Sequence, residues 1–412
     1  MDRAAITALR RSHGYPQFLT AATIARLADE MFAVGVILLV LDRTGSPALA
    51  GATIAAATLP GMISGPFIGA WLDRTGRRSL IYKVDRLVLT LVLLAILAAA
   101  GHAPDFVILV LAFVTGVTLP VTMAGFTSMI PLIVEEEILP SANAVEAASF
   151  NVALIGGPAL AGIIAAASGP PAAIVVEAVL TLVALVFILR IPDLNRGAAS
   201  DPLPLRTAIA QGMRHIVREP VLRVASAAGV VNNIGWGVLM IVFPLWAAAD
   251  LGASTSASGA IWAAFASGSL FGALALSRIQ ARFPQELVLY VGMVVMCLGM
   301  LTWVLADSLL VGLALVVLPA IIEGPAVAAT FTLRQQRTPP ALQAQVMGTL
   351  GSLAVGAFAI GSAIGGPLVV AFGPRTCIAT VAGFVIVAGV AGAAARVASG
   401  PRLRAPSRSA GS

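Results

Sequence analysis

Three ionisable residues, Arg26, Asp29 and Glu30, stand near the centre of an apolar run from Gln17 to Leu41. If that run crosses a bilayer, each charge costs about 2.5–3.5 kcal/mol at the helix centre on insertion scales. An expense of that size points to use. Arg26 precedes Asp29 by three residues and Glu30 by four, so both carboxylates can reach the guanidinium from one helix face. A carboxylate that exchanges an arginine for a proton can couple transport to a proton gradient. Asp29 and Glu30 are therefore the candidate proton sites, with Arg26 as the competing partner.

Other polar residues lie within apolar runs. Glu323, followed by Gly324-Pro325, is placed for a cationic substrate or a second proton. Asn232, Asn233 and Trp236 put amides and an indole at the depth of a cavity suited to an amphipathic organic molecule. Glu146 lies towards one end of its run, Glu177 near the start of the next, and Asp85 with Arg86 is expected to pair locally. His13, His102 and His215 show no metal-ligand spacing, and the sequence has no P-loop, so ATP is not the expected energy source. Cys297 and Cys377 are far apart in apolar segments and read as buried thiols. No cofactor and no metal are expected.

These residues need elements to hold them. Of 412 residues, 59% are apolar and 11% charged, with a mean hydropathy of +0.97, which excludes an ordinary water-soluble domain. A helix crosses the hydrocarbon layer in about 20 residues. Cutting the chain at charges and at Pro/Gly pairs gives twelve spans, near 17–41, 47–72, 79–100, 105–131, 142–168, 171–191, 221–248, 257–280, 286–306, 309–333, 341–371 and 374–396. The first run is too long for a signal-peptide core and reads as a retained span. The net charge of +6 comes from arginines clustered between the spans, not from a nucleic-acid-binding surface. Alternate loops carry nearly all of them, the opposite face holding only Arg43 and Arg375, so the positive-inside rule places both termini in the cytoplasm.

The expected organisation is a six-helix bundle over 1–191, a cytoplasmic linker over 192–220, a second six-helix bundle over 221–398, and a disordered basic tail over 399–412. Within the linker, Leu205, Ile209, Met213, Ile216 and Val217 recur at helical spacing opposite Arg206, Gln211, Arg214 and Arg218, which predicts an amphipathic helix on the membrane surface. Sliding the halves by 208 residues places Asp42 on Asp250, Gly51-Ala52 on Gly259-Ala260 and Arg74 on Arg282; at 209, Gly156-Gly157-Pro158 falls on Gly365-Gly366-Pro367. Arg26, Asp29 and Glu30 fall on Ile234, Gly237 and Val238, so the charged element occurs once. Two such repeats related by an axis along the membrane normal are an arrangement of secondary transporters.

The second-to-third connection reads Gly69-Ala-Trp-Leu-Asp73-Arg74-Thr-Gly76-Arg77-Arg78. Gly69 lets helices approach closely, Asp73 can face a helix N-terminus, and Gly76 permits a tight turn. The stretch resembles the signature G-x-x-x-D-R-x-G-R-R of the major facilitator superfamily. That resemblance covers essentially the whole chain and implies an all-α membrane protein of twelve transmembrane helices in two pseudo-symmetric bundles. It also implies that Gly69, Asp73, Arg74, Gly76, Arg77 and Arg78 gate the cytoplasmic side. Gly157-Pro158-Ala-Leu-Ala-Gly162 resembles the antiporter motif of drug-exporting members, with a proline bend between packing glycines. Arg26-Leu-Ala-Asp29, Thr44-Gly45-Ser46 and Gln345-Val346-Met347 add a likeness to the twelve-span drug, macrolide and siderophore efflux group.

The expected function is proton-coupled export of amphipathic organic compounds by alternating access, without enzymatic activity, in the cell membrane. Import of a small nutrient and translocation of a lipid or lysolipid fit the same fold. The expected partners are a small amphipathic organic substrate, protons and membrane lipids, with no nucleic acid, and the chain is expected to act as a monomer.

Overall fold

The computed structural model describes Leu9, Ser12 and residues 14–75, 78–135, 138–190, 205–280, 282–339 and 342–398. Every regular element among the described residues is helical. In chain order these are α1 (Tyr15–Thr44), α2 (Pro47–Thr75), α3 (Arg78–Ala99), α4 (Asp105–Ile133), α5 (Leu139–Ser168), α6 (Pro170–Ile188), α7 (Leu205–Arg218), α8 (Pro220–Ala249), α9 (Ser258–Ala275), α10 (Ser277–Gln280), α11 (Gln285–Met300), α12 (Leu309–Gln336), α13 (Gln343–Phe372) and α14 (Pro374–Ala398). Ten of the twelve expected spans each fall on one long helix, with the short amphipathic α7 between the sixth and seventh. The span expected over 257–280 is broken at Leu276, and the one over 286–306 tightens into a 3-10 turn at Leu301–Leu305. The parts of the linker over 192–204, the basic tail over 399–412 and the N-terminal Arg3, Arg10 and Arg11 lie outside the described residues.

Proline and glycine set the ends. α6, α8 and α14 open on Pro170, Pro220 and Pro374, where proline's missing N–H is an unpaired donor anyway and its fixed φ suits the first turn. Gly169 and Gly373, with φ of 87° and 76°, join α5 to α6 and α13 to α14 in single-residue turns that an L side chain would strain.

Nine helices among the described residues are long and apolar enough to cross a membrane. Three long helices fall outside that set: α4, whose described apolar stretch is the shorter Asp105–Thr118, and α1 and α3, which each carry a group of charges, Arg26, Asp29 and Glu30 on α1 and Lys83, Asp85 and Arg86 on α3. α1 and α3 are both long enough, and one ion pair, Asp29 with Arg86, joins them.

The chain divides into two compact units, one of Met1–Pro202 with Ser254–Ala263, the other of Leu203–Ala253 with Ala264–Ser412. In the first, α1 packs on α5 and α6, α2 on α4, and α3 on α4 and α6. In the second, α8 packs on α13 and α14, and α11 on α12 and α14, while Gly268 and Gly324 seat α9 against α12. The same pairings thus recur in each unit. The repeat's register differs from the residue matches. Helix starts are offset by 205 from Tyr15 to Pro220 and by 204 from Leu139 to Gln343 and from Pro170 to Pro374, so Gly156-Gly157-Pro158 and Gly365-Gly366-Pro367 sit at different depths. Only around α2 does 208 hold, from Pro47 to the 3-10 turn at Thr255.

α7 is amphipathic as the spacing requires. Ile216 joins Leu222, Val346 and Leu350 in a small core, and His215 Nε2 lies 2.9 Å from the carbonyl of Arg337. Ile209, Met213 and Val217 form an exposed apolar stripe beside the exposed Arg214 and Arg218.

Candidate functional site: a buried charge network in the first unit

The centre of the site is Arg86 on α3, whose side chain is 2% exposed. Its guanidinium spends both edges on carboxylates. Nε donates to Asp85 Oδ2 at 2.8 Å and Nη2 lies 2.7 Å from the same oxygen. Across the helix interface, Nη1 donates to Asp29 Oδ1 at 2.8 Å and Nη2 to Asp29 Oδ2 at 3.3 Å. Arginine is suited to this because its planar fork presents donors in two directions. The local Asp85–Arg86 pair expected from sequence is present, and Asp29 is added to it from α1.

Arg26 is tied elsewhere, in a buried ion pair with Glu146 of α5. Its guanidinium also lies over the rings of Phe126, at 5.7 Å, and Phe150, at 5.3 Å. The spacing argument that Arg26 would hold Asp29 on its own helix is therefore corrected: Asp29 pairs with Arg86, and Arg26 makes an ion pair with Glu146. Two rules account for this. A cation placed four residues before an acid is the poorer orientation for a pair within one helix, and helical side chains lean towards the N-terminus. Asp29 thus leans to the level of Ala25, whose carbonyl Arg86 also approaches at 3.5 Å.

Glu30 is half-buried and backs onto the motif in α5. A Cβ at Gly157 would stand 2.5 Å from Glu30 Cβ and 2.8 Å from its carbonyl carbon, and one at Gly162 would stand 2.5 Å from Ser256 O and 2.9 Å from Gly259 Cα. Gly157 therefore lets α5 touch α1 at Glu30, and Gly162 lets it touch the segment Ser254–Ala263, which packs with this unit. Pro158, between them, is buried inside the helix. In the gating motif, α2 ends at Thr75 and α3 begins at Arg78. The side chains of Asp73, Arg74 and Arg78, the surroundings of Gly69, and all of Gly76 and Arg77 lie outside what the structure describes.

In the second unit Trp236 meets Phe265 edge-on at 4.5 Å between ring centroids. Asn233 Nδ2 donates to Gly229 O on its own helix at 2.8 Å, and Asn232 is half-buried beside it. Glu323 is buried on α12, next to the point where Gly324 meets the backbone of Ser269 on α9. Trp236 and Glu323 thus sit on the two helices that flank α9.

Among the described residues, the interior of the first unit holds five carboxyl groups, Asp29, Glu30, Asp85, Glu146 and Glu177, against three cations, Arg26, Arg86 and the half-buried Lys83. Sequence reasoning missed the partnership of Glu146 and the central position of Arg86. The signal was available: an arginine in the middle of a long apolar helix needs an acid on a neighbouring helix.

Twelve long helices among the described residues, two units with one pairing scheme and a buried network of ion pairs in the first define a polytopic membrane protein of transporter architecture. The family model described as Major Facilitator Superfamily matches residues 18–233 and 225–411. The chain belongs to that superfamily, and is an integral membrane transporter. It is 31% identical over 370 residues, 88% of this chain and 90% of the other, to the uncharacterized MFS-type transporter y4rN of Sinorhizobium fredii. It is 27% identical over 379 residues, 89% of this chain and 90% of the other, to the multidrug efflux pump Tap of Mycobacterium tuberculosis. Among solved structures, the nucleoside transporter NupG matches with a TM-score of 0.74 at 13% identity, covering 93% of this chain and 99% of NupG. A bacterial homolog of the human lysosomal transporter Spinster matches with a TM-score of 0.72 at 16% identity, covering 96% and 98%. At such identities these two speak for the fold alone.

Proposed function

We propose that this transporter exports amphipathic organic compounds across the plasma membrane in exchange for protons, with both termini in the cytoplasm. The observation that carries the coupling is the excess of carboxyl groups over arginines inside the first unit. Charges buried without compensation are costly, so the surplus has room for protons, and a proton arriving at Asp29 releases one of the two partners of Arg86. That change in pairing gives α1 and α3 two alternative arrangements, as alternating access requires. Export is supported by the relative named a multidrug efflux pump and by the Gly157-Pro158-Gly162 motif. The Gly157 contact gives α5 a direct mechanical link to the coupling helix at Glu30. In this reading Asn232, Asn233, Trp236 and Glu323 face the substrate, and Gly69, Asp73, Arg74, Gly76, Arg77 and Arg78 latch the cytoplasmic side.

The test is pH-gradient-driven flux of dyes and antibiotics in proteoliposomes, comparing the wild type with Asp29→Asn and Glu30→Gln. The proposal expects gradient-driven flux to fall about tenfold, the scale of a typical coupling between sites, while exchange without a gradient continues. Full gradient-driven transport in both variants refutes proton coupling through this network.

A further inference from the structure

Glu177 on α6 is 0% exposed, and neither carboxyl oxygen has a hydrogen-bond partner among the described residues. It faces a bare stretch of α1: a Cβ at Gly35 would stand 3.4 Å from Glu177 Oε2 and 3.3 Å from Ile174 Cδ1. α6 packs against α1, α3 and α5. The charged groups that act on Glu177 are Asp29 of α1 and Arg86 of α3; Asp85 of α3 is held by Arg86, and Glu146 of α5 by Arg26. A buried carboxyl beside a charge network, with no donor turned towards it, is an unusual thing for a fold to retain.

We propose that Glu177 is a proton-carrying site in series with the Asp29–Arg86–Asp85 cluster, on the side of the unit where α1 turns into α2 and α5 into α6. The inference rests on the proton-coupled reading above and adds a route to it. Gly35 lies six residues beyond Asp29, about 9 Å along the helix axis, a separation that takes more than one water to span. Glu177 takes a proton from water on that side, forming an O–H bond. A relay of waters between them then carries the proton on: the Glu177 O–H bond breaks, each water takes one proton and passes one on, an Asp29 O–H bond forms, and the net charge of the group is unchanged. Arg86 keeps Asp85 and gives up Asp29. Gly35 keeps α1 free of a side chain where Glu177 packs against it.

The experiment uses the full-length protein in proteoliposomes with ethidium as the transported probe, comparing wild type, Glu177→Gln, Gly35→Val and Asp29→Asn. Glu177→Gln is expected to lower pH-gradient-driven flux about tenfold while leaving gradient-free ethidium exchange within about twofold of wild type. It should also remove a carboxylic-acid C=O band from infrared difference spectra taken between two pH values. Gly35→Val, which puts a side chain against Glu177 without removing any carboxyl, should slow gradient-driven flux in the same selective way. Full gradient-driven flux in Glu177→Gln together with its loss in Asp29→Asn overturns the role of Glu177 and leaves the coupling reading intact. If Asp29→Asn also keeps gradient-driven flux, both fall. Loss of gradient-free exchange in Glu177→Gln, or a wild-type spectrum with no band that depends on Glu177, assigns the residue to packing and overturns the proposal.

Discussion

Removing the Arg86 guanidinium should be among the most damaging single changes in the first unit. In Arg86→Met the aliphatic volume is largely kept, but Asp29 loses contacts at 2.8 and 3.3 Å and Asp85 loses contacts at 2.7 and 2.8 Å. Two carboxylates are left beside each other where one cation had served both. Taking one partner from a buried ion pair costs about 3–5 kcal/mol, because the remaining charge stays buried without compensation. The upper part of that range is expected here, since two charges are stranded. The triple variant Arg86→Met, Asp29→Asn, Asp85→Asn removes the stranded charges with little change of shape and should recover most of the loss. Unfolding by denaturant titration in detergent micelles, read by intrinsic tryptophan fluorescence, measures both effects. Wild-type stability in Arg86→Met, or a triple variant no more stable than the single one, would refute the network as drawn.

The Arg26–Glu146 pair gives a graded counterpart. Glu146→Gln should destabilise the protein less than Arg86→Met, because the guanidinium keeps Phe126 and Phe150, each contact contributing about 0.5–2 kcal/mol; the same unfolding assay ranks the two. Gly162→Val forces a side chain against Ser256 and Gly259 and should cost about 1–3 kcal/mol by overpacking, with transport falling alongside stability. Trp236→Ala removes an edge-on ring pair of about 0.5–1.5 kcal/mol and should raise the KM for a fluorescent substrate while leaving the pH dependence of flux unchanged; an unchanged KM places Trp236 outside the substrate path. Asp73→Asn should cut flux with expression nearly intact, and unchanged flux would remove the latch role assigned to it.

How far the sequence reached depends on the range of the interaction. Twelve helices and the amphipathic α7 were legible because transfer of apolar residues from water and helical periodicity are properties of consecutive residues. The unusual character of α1 was legible for the same reason: Arg26, Asp29 and Glu30 stand out against their own neighbours. Glu146 and Glu177 were visible as acids in apolar runs, but nothing nearby in sequence distinguished the one that would gain an arginine from the one that would not.

Composition, periodicity and local cost thus determined that this chain crosses a membrane many times and keeps charges inside. Which charge meets which was decided by tertiary packing. Arg86 reaches Asp29 across 57 residues of chain, and Arg26 reaches Glu146 across 120, because α1 packs against α5 and α6 and α6 in turn holds α3. Spacing along one helix defines the face a side chain occupies, whereas the rotation and depth of the neighbouring helix set its partner, and those follow from close contacts such as Gly157 against Glu30.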